Sequence, residues 1–175
     1  MTTLLPSSGQ VVRNSSAVQQ AIVAATRTYI TGSQLAIPDG RLKVGSKIRF
    51  RFNMAKTAAG TATSTFDICF GTAGTTADTA RVSFTKPAGT AAADEGWVTV
   101  EATVRSVGAT GVVVGEFVLV HNLAATGHAQ IPCVVVNTIS AAFDVGAATF
   151  VGLCITSGAS DAITIEQVSA ELIGS

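Results

Sequence analysis

Between Gly111 and Ile139 the chain reads GVVVGEFVLVHNLAATGHAQIPCVVVNTI, two β-branched apolar runs joined by a loop of small residues. In the first run Val113, Gly115, Phe117 and Leu119 fall on one side of an extended chain. Val114, Glu116, Val118 and Val120 fall on the other, the period of two that a strand imposes. The second run opens at Pro132 and is apolar on both parities from Cys133 to Val136, which predicts cover on both faces. A branched Cβ sits comfortably on a pleated sheet and crowds a helix. The pair is therefore expected at the centre of a layered β structure.

The same alternation recurs along the chain. In KIRFRFNMA, Ile48, Phe50, Phe52 and Met54 point to a core, and Lys47, Arg49, Arg51 and Asn53 point away from it. Phe66, Ile68 and Phe70, then Ala80, Val82 and Phe84, then Val98, Val100, Ala102 and Val104 repeat the inward pattern. From Ile163 to Ile173 the apolar parity changes between Ile165 and Val168, the mark of a bulge or of a strand that switches partners. Small-residue loops at Thr57 to Ser64, Gly71 to Asp78 and Pro87 to Gly96 separate the runs. With no helical pattern after residue 27, the chain reads as all-β, an antiparallel two-sheet sandwich. Loops this long favour jelly-roll crossings over a meander, so residues 27–175 are expected to form a jelly-roll domain.

Residues 1–26 differ. Pro6, Gly9 and several serines and threonines describe an extended arm. Ser16 and Gln19 then stand at capping-box spacing, with Val18, Ile22 and Ala25 at helical spacing, which predicts a short helix. Leu4, Leu5, Val11, Val12, Val18 and Ile22 are the arm's candidate contacts with a partner.

The formal net charge is zero and 13% of residues are charged, which leaves no electrostatic footprint for nucleic acid or an anionic membrane. No apolar run approaches the roughly 18 residues of a membrane helix, and MTTLLPSSGQ lacks the pattern of a secretory signal. Yet 47% of residues are hydrophobic, and a subunit interface is the expected home for the surplus. Arg49, Arg51, Trp97, Glu101 and His121 are its candidate residues. The basic face of KIRFRFNMA reads either as a solvated exterior or as an ion-pair surface toward another subunit, with Asp67, Glu101 or Glu116 as counter-charges. Trp97 reads as a cap on the end of the fold or as an interface anchor.

Chemistry is sparse. Cys69, Cys133 and Cys154 are odd in number and widely spaced, as buried small hydrophobes would be. His121 and His128 have no third ligand at metal spacing, and structural roles are expected. Asp94 and Glu95 read as solvated turn residues, and GTAGTT lacks the lysine of a phosphate-binding loop. No cofactor, metal or enzymatic activity is expected.

The segments from Arg27 to Val100 (RTYITG to GWVTV) and from Gly115 to Val145 (GEFVLVHNLAATGHAQIPCVVVNTISAAFDV) resemble a family of tailed-bacteriophage virion proteins with a C-terminal jelly-roll domain. The resemblance spans roughly Arg27 to Ile173. It implies a structural role on the virion, commonly as a homotrimer, with the major capsid protein or another virion protein as partner, and it supplies no active-site residues. Both the capsid shell and the tail remain open to it. An arm and one domain, without heptads or shaft repeats, favour a capsid decoration (cement) protein, made in the host cytoplasm, that stabilises the head shell. The alternative is a tail-fibre or baseplate-attached tip that binds a host surface receptor or glycan.

Overall fold

The computed structural model describes residues 12–128, 133–158 and 163–174. Its strands are β1 (Arg13–Ser16), β2 (Gln20–Ala21), β3 (Arg27–Tyr29), β4 (Leu35–Ile37), β5 (Lys47–Lys56) and β6 (Ser64–Gly71). They continue with β7 (Thr79–Lys86), β8 (Asp94–Ser106), β9 (Val112–His121), β10 (Cys133–Ile139), β11 (Thr149–Thr156) and β12 (Ile163–Ile173). Two antiparallel sheets result. The larger runs β1-β12-β5-β8-β9-β10, with β2 also on β12; the smaller runs β3-β11-β6-β7, with β4 also on β11. The fold is a β-sandwich, as the alternation predicts, and its strand order is compatible with a jelly-roll to which β9 and β10 add a hairpin beyond β8.

The inward parity of each strand fills the space between the sheets. Ile48, Phe50, Phe52 and Met54 of β5 are buried against Phe66, Ile68 and Phe70 of β6 and Val82 and Phe84 of β7. Rings from opposite sheets interleave. Phe52 stacks on Phe66 at 6.0 Å between centroids, Phe66 meets Phe117 at 4.8 Å, and Phe117 meets Phe84 at 6.0 Å. At Gly115 of β9 the layers lie close together, since a Cβ there would overlap Val82 and Phe84. Ala80 is only partly buried, because β6 and β7 slip register between Ile68 and Cys69 and turn the start of β7 off the core parity.

Two expectations are corrected. The β9–β10 pair is not central, because β10 is the last strand of the larger sheet. The side chains of Cys133 to Val136, on which cover of both faces was expected, lie outside the described residues. The helix begun at Ser16 is absent. Ser16 Oγ accepts the amide of Val18 at 3.2 Å, in a local turn, and the Gln19 side chain donates to Glu166 instead of closing a capping box. A helix of two or three turns is marginal alone, whereas pairing along β12 gives this backbone partners at once: β1 pairs over Arg13 to Ser16, β2 over Gln20 and Ala21, and Ile22 donates to Ile163. The predicted irregularity of the last strand is present as a register shift between Ile165 and Gln167, which keeps both Ile165 and Val168 buried.

Phe117 joins the hairpin to the ring stack, so Phe117→Ala is expected to cost about 3–5 kcal/mol of unfolding free energy. Urea denaturation measures it, and a loss below about 1 kcal/mol would place β9 outside the cooperative core.

Candidate functional site

Two places concentrate polar chemistry. The first is the outer face of the larger sheet. Cα pairing aligns Arg13, Glu171, Arg49, Glu101 and Glu116 in one row across it, and Ser15, Ser169, Arg51, Thr99 and Val118 in the next. A third row carries Gln167, Asn53, Trp97 and Val120. Since β5, β8 and β9 turn their alternate residues into the core, these rows point away from it.

The first row is an ion-pair chain. Glu101 accepts from Lys47 Nζ at 2.7 Å and Arg49 Nε at 2.8 Å, while Glu171 lies 3.6 Å from Arg49 and 4.0 Å from Arg13. Partial burial pushes the Glu101 carboxyl up, but Lys47 and Arg49 outweigh it and hold the group below the usual range. Much of the basic stripe is therefore matched within the chain. Among the described residues, Arg51 and Glu116 have no ion-pair partner. Arg51 and Trp97 line a recess of about 240 Å³ with Ser15, Ser16, Ala17 and Gln167. Trp97 is 40% exposed, Val120 51% and Ile139, at the end of β10, 55%.

The second place is a buried polar node at one end of the sandwich. Asp94 Oδ2 accepts from His121 Nδ1 at 2.7 Å and from the His128 amide at 2.9 Å. Lys86 Nζ donates to the carbonyls of Pro87 and His128, both at 2.7 Å, and Lys56 Nζ to those of Thr57, Thr90 and Ala92. Gly127, at φ +83°, presses against Asp94 so closely that a Cβ would overlap the carboxylate. Burial raises the Asp94 carboxyl, but the His128 amide and the His121 ring prevail and hold it low. His128 Nε2 donates to the Met54 carbonyl at 3.0 Å, and its Nδ1 has no partner among the described residues. Burial pushes this imidazole down to about 4 against the pull of Met54 and Asp94, so it is neutral at pH 7. The His121 and Asp94 side chains have no solvent exposure. The node fastens the loop after β7 to the loop after β9.

On the smaller sheet, Arg27 bridges Asp67 at 3.2 Å, Cys69 Sγ at 3.0 Å and the carbonyls of Thr76 and Asp78, tying the 72–78 loop to β6. Cys69 and Cys154 are free and buried. Cys69 is thus a hydrogen-bond acceptor as well as a packed side chain.

The expected site residues fall into distinct settings. Arg49, Arg51, Trp97 and Glu101 share the outer face, but the His121 side chain turns inward to Asp94. Asp67, expected as a counter-charge on another subunit, is matched by Arg27 and Ser83 of its own chain. Asp94, expected to be solvated, is buried. Ile22 belongs to the chain's own core and Val12 packs against it, whereas Val18 is 69% exposed. Leu4, Leu5 and Val11 lie outside the described residues. The signal for the buried node was parity: Lys56, Lys86 and Asp94 all stand on the core side of their strands' alternation. No family model matches the chain, and no curated protein matches it.

His128 binds no proton near neutrality when folded but regains its ordinary value of 6.5 when unfolded. The unfolded state therefore takes up the extra proton as pH falls from 6.5 toward about 4, and stability is lost across that window. Urea unfolding at pH 4.5 is expected to show about 2–3 kcal/mol less stability than at pH 7, and His128→Gln is expected to remove most of this difference. An identical pH slope in the variant would exclude His128 as the titrating group.

Proposed function

We propose that this chain is a structural virion protein, a jelly-roll that assembles as a homotrimer and decorates a phage head, cementing the shell by binding the major capsid protein. The observation that carries the assembly part is the outer face of the larger sheet, where Trp97, Val120 and Ile139 remain exposed beside a charged row although the core behind them is filled. A large aromatic at a partly wet, charge-rimmed face is the usual anchor of a protein contact. The family resemblance supplies the particle, and in this reading the chain performs no catalytic step and needs no cofactor. A placement on a tail fibre or baseplate tip is the second reading. It is favoured by an apolar recess of about 380 Å³ at the loop end of the smaller sheet, lined by Ile37, Pro38, Thr72, Ala148 and Phe150, where a receptor or glycan would sit.

Particle attachment tests the reading. Because β1, β2 and Ile22 are built into the sandwich, deletion of residues 1–26 is expected to destabilise the fold, so the informative truncation removes residues 1–11. The truncated chain is expected to stay folded and oligomeric but to lose binding to heads stripped of this protein. Undiminished binding would remove the attachment role from Leu4, Leu5 and Val11. Copy number per particle separates the readings: hundreds of copies favour the shell, and a few trimers favour the tail.

A further inference from the structure

The two halves of the outer face differ in charge. On the β12–β5 side, Arg51 borders the Trp97 recess and a second hollow of about 610 Å³ that also touches Arg13, Ser169 and Glu171. Lys47 and Arg49 stand on the same strand but are matched by Glu101 and Glu171, which leaves Arg51 as the unmatched cation of this half among the described residues. On the other side, β9 presents Glu116, Val118 and Val120 with no lysine or arginine anywhere in the strand, and Ile139 ends the neighbouring β10. Glu116 lies directly across from Glu101, a like charge that does nothing to neutralise it. One half therefore carries an unmatched cation, Arg51, beside two hollows, and the other an unmatched carboxylate, Glu116, among valines.

We infer that copies of this chain join through this face, the Arg51–Trp97 side of one copy meeting the Glu116–Val118–Val120 strip of the next. The inference rests on the assembly reading above and assigns its contact. Two reasons select a second copy as the occupant. The first is charge: Arg51 and Glu116 are the row members left without an ion-pair partner among the described residues, and they are opposite in sign. The second is area. Five strands about 4.8 Å apart and about ten residues long present roughly 800 Å² in all, so a copy that gives one half of the face to each of two neighbours buries about the ~800 Å² that a partner gives to a stable interface, split over two contacts. Joining different halves makes the contact heterologous, and such a contact closes into a ring when the rotation between neighbours is a whole fraction of a turn. Three faces turned toward a common axis would each meet a neighbour on either side, which matches a trimer without a second interface.

Charge exchange tests this. Sedimentation velocity over a concentration series is run on the full chain, on Arg51→Glu, on Glu116→Arg and on the double variant, with circular dichroism melts to confirm that each is folded. Each single reversal is expected to weaken assembly roughly tenfold or more by setting like charges together, and the double variant to recover most of the loss. Trp97→Ala, which leaves both charges in place, is expected to weaken it similarly. A wild type that stays monomeric at all concentrations overturns the assembly reading and this contact with it. A wild type that assembles while the single reversals assemble equally well, or while the double variant is no better than the singles, overturns the contact alone.

Discussion

The two sheets are held in register by four phenylalanines that alternate between them. Phe52 and Phe117 come from the larger sheet, Phe66 and Phe84 from the smaller, and each ring in the series touches a ring from the opposite layer. Such contacts contribute about 0.5–1.5 kcal/mol each beyond the burial of their area. Their geometric effect matters more. Because Phe117 sits between Phe66 and Phe84, β9 is fixed on β6 and β7 as well as on β8, and the hairpin becomes part of the sandwich instead of a flap at its side. The outer face of β9 is in this way given a firm backing.

The alternation was legible because it follows from strand geometry alone. Every residue assigned inward on β5 and on the body of β8 is buried, and the break at the end of the chain is where β12 bulges. What the sequence did not reveal depended on distant partners. Residues 16–22 carry both a capping spacing and an edge-strand role, and only the presence of β12 alongside decides between them. Position in the sheet was hidden for the same reason: β9 and β10 look equally apolar, yet one has neighbours on both sides and the other on one. Lys56, Lys86 and Asp94 had the correct parity, but the assumption that charge implies water overrode it. Their burial is tolerated because backbone carbonyls and amides from three loops match them.

Charge is thus used in two opposed ways. Inside, Lys56, Lys86 and Asp94 are each matched to backbone groups, and the neutral His128 between them keeps the enclosed charge low. Leaving any of these groups unmatched in a dry interior would cost several kcal/mol, so the node specifies one arrangement of the loops around it. Outside, Glu101 and Glu171 tie four strands together through exposed or half-buried pairs whose individual contribution is small and sensitive to salt. The interior network determines the shape, and the exterior one can be rearranged with little effect on it.

The irregularity in β12 bears on how this molecule avoids uncontrolled growth. By kinking between Ile165 and Gln167, the strand offers two separate lengths, one taken by β2 and one by β1, so the border of the sheet there is broken into pieces of two and four residues. Asn14 further ties the outermost piece to the chain at Gln34. A fibril needs a long, straight, unpaired border on which a further strand can be templated. Among the described residues, that side of the molecule provides short fragments in place of one long, straight border.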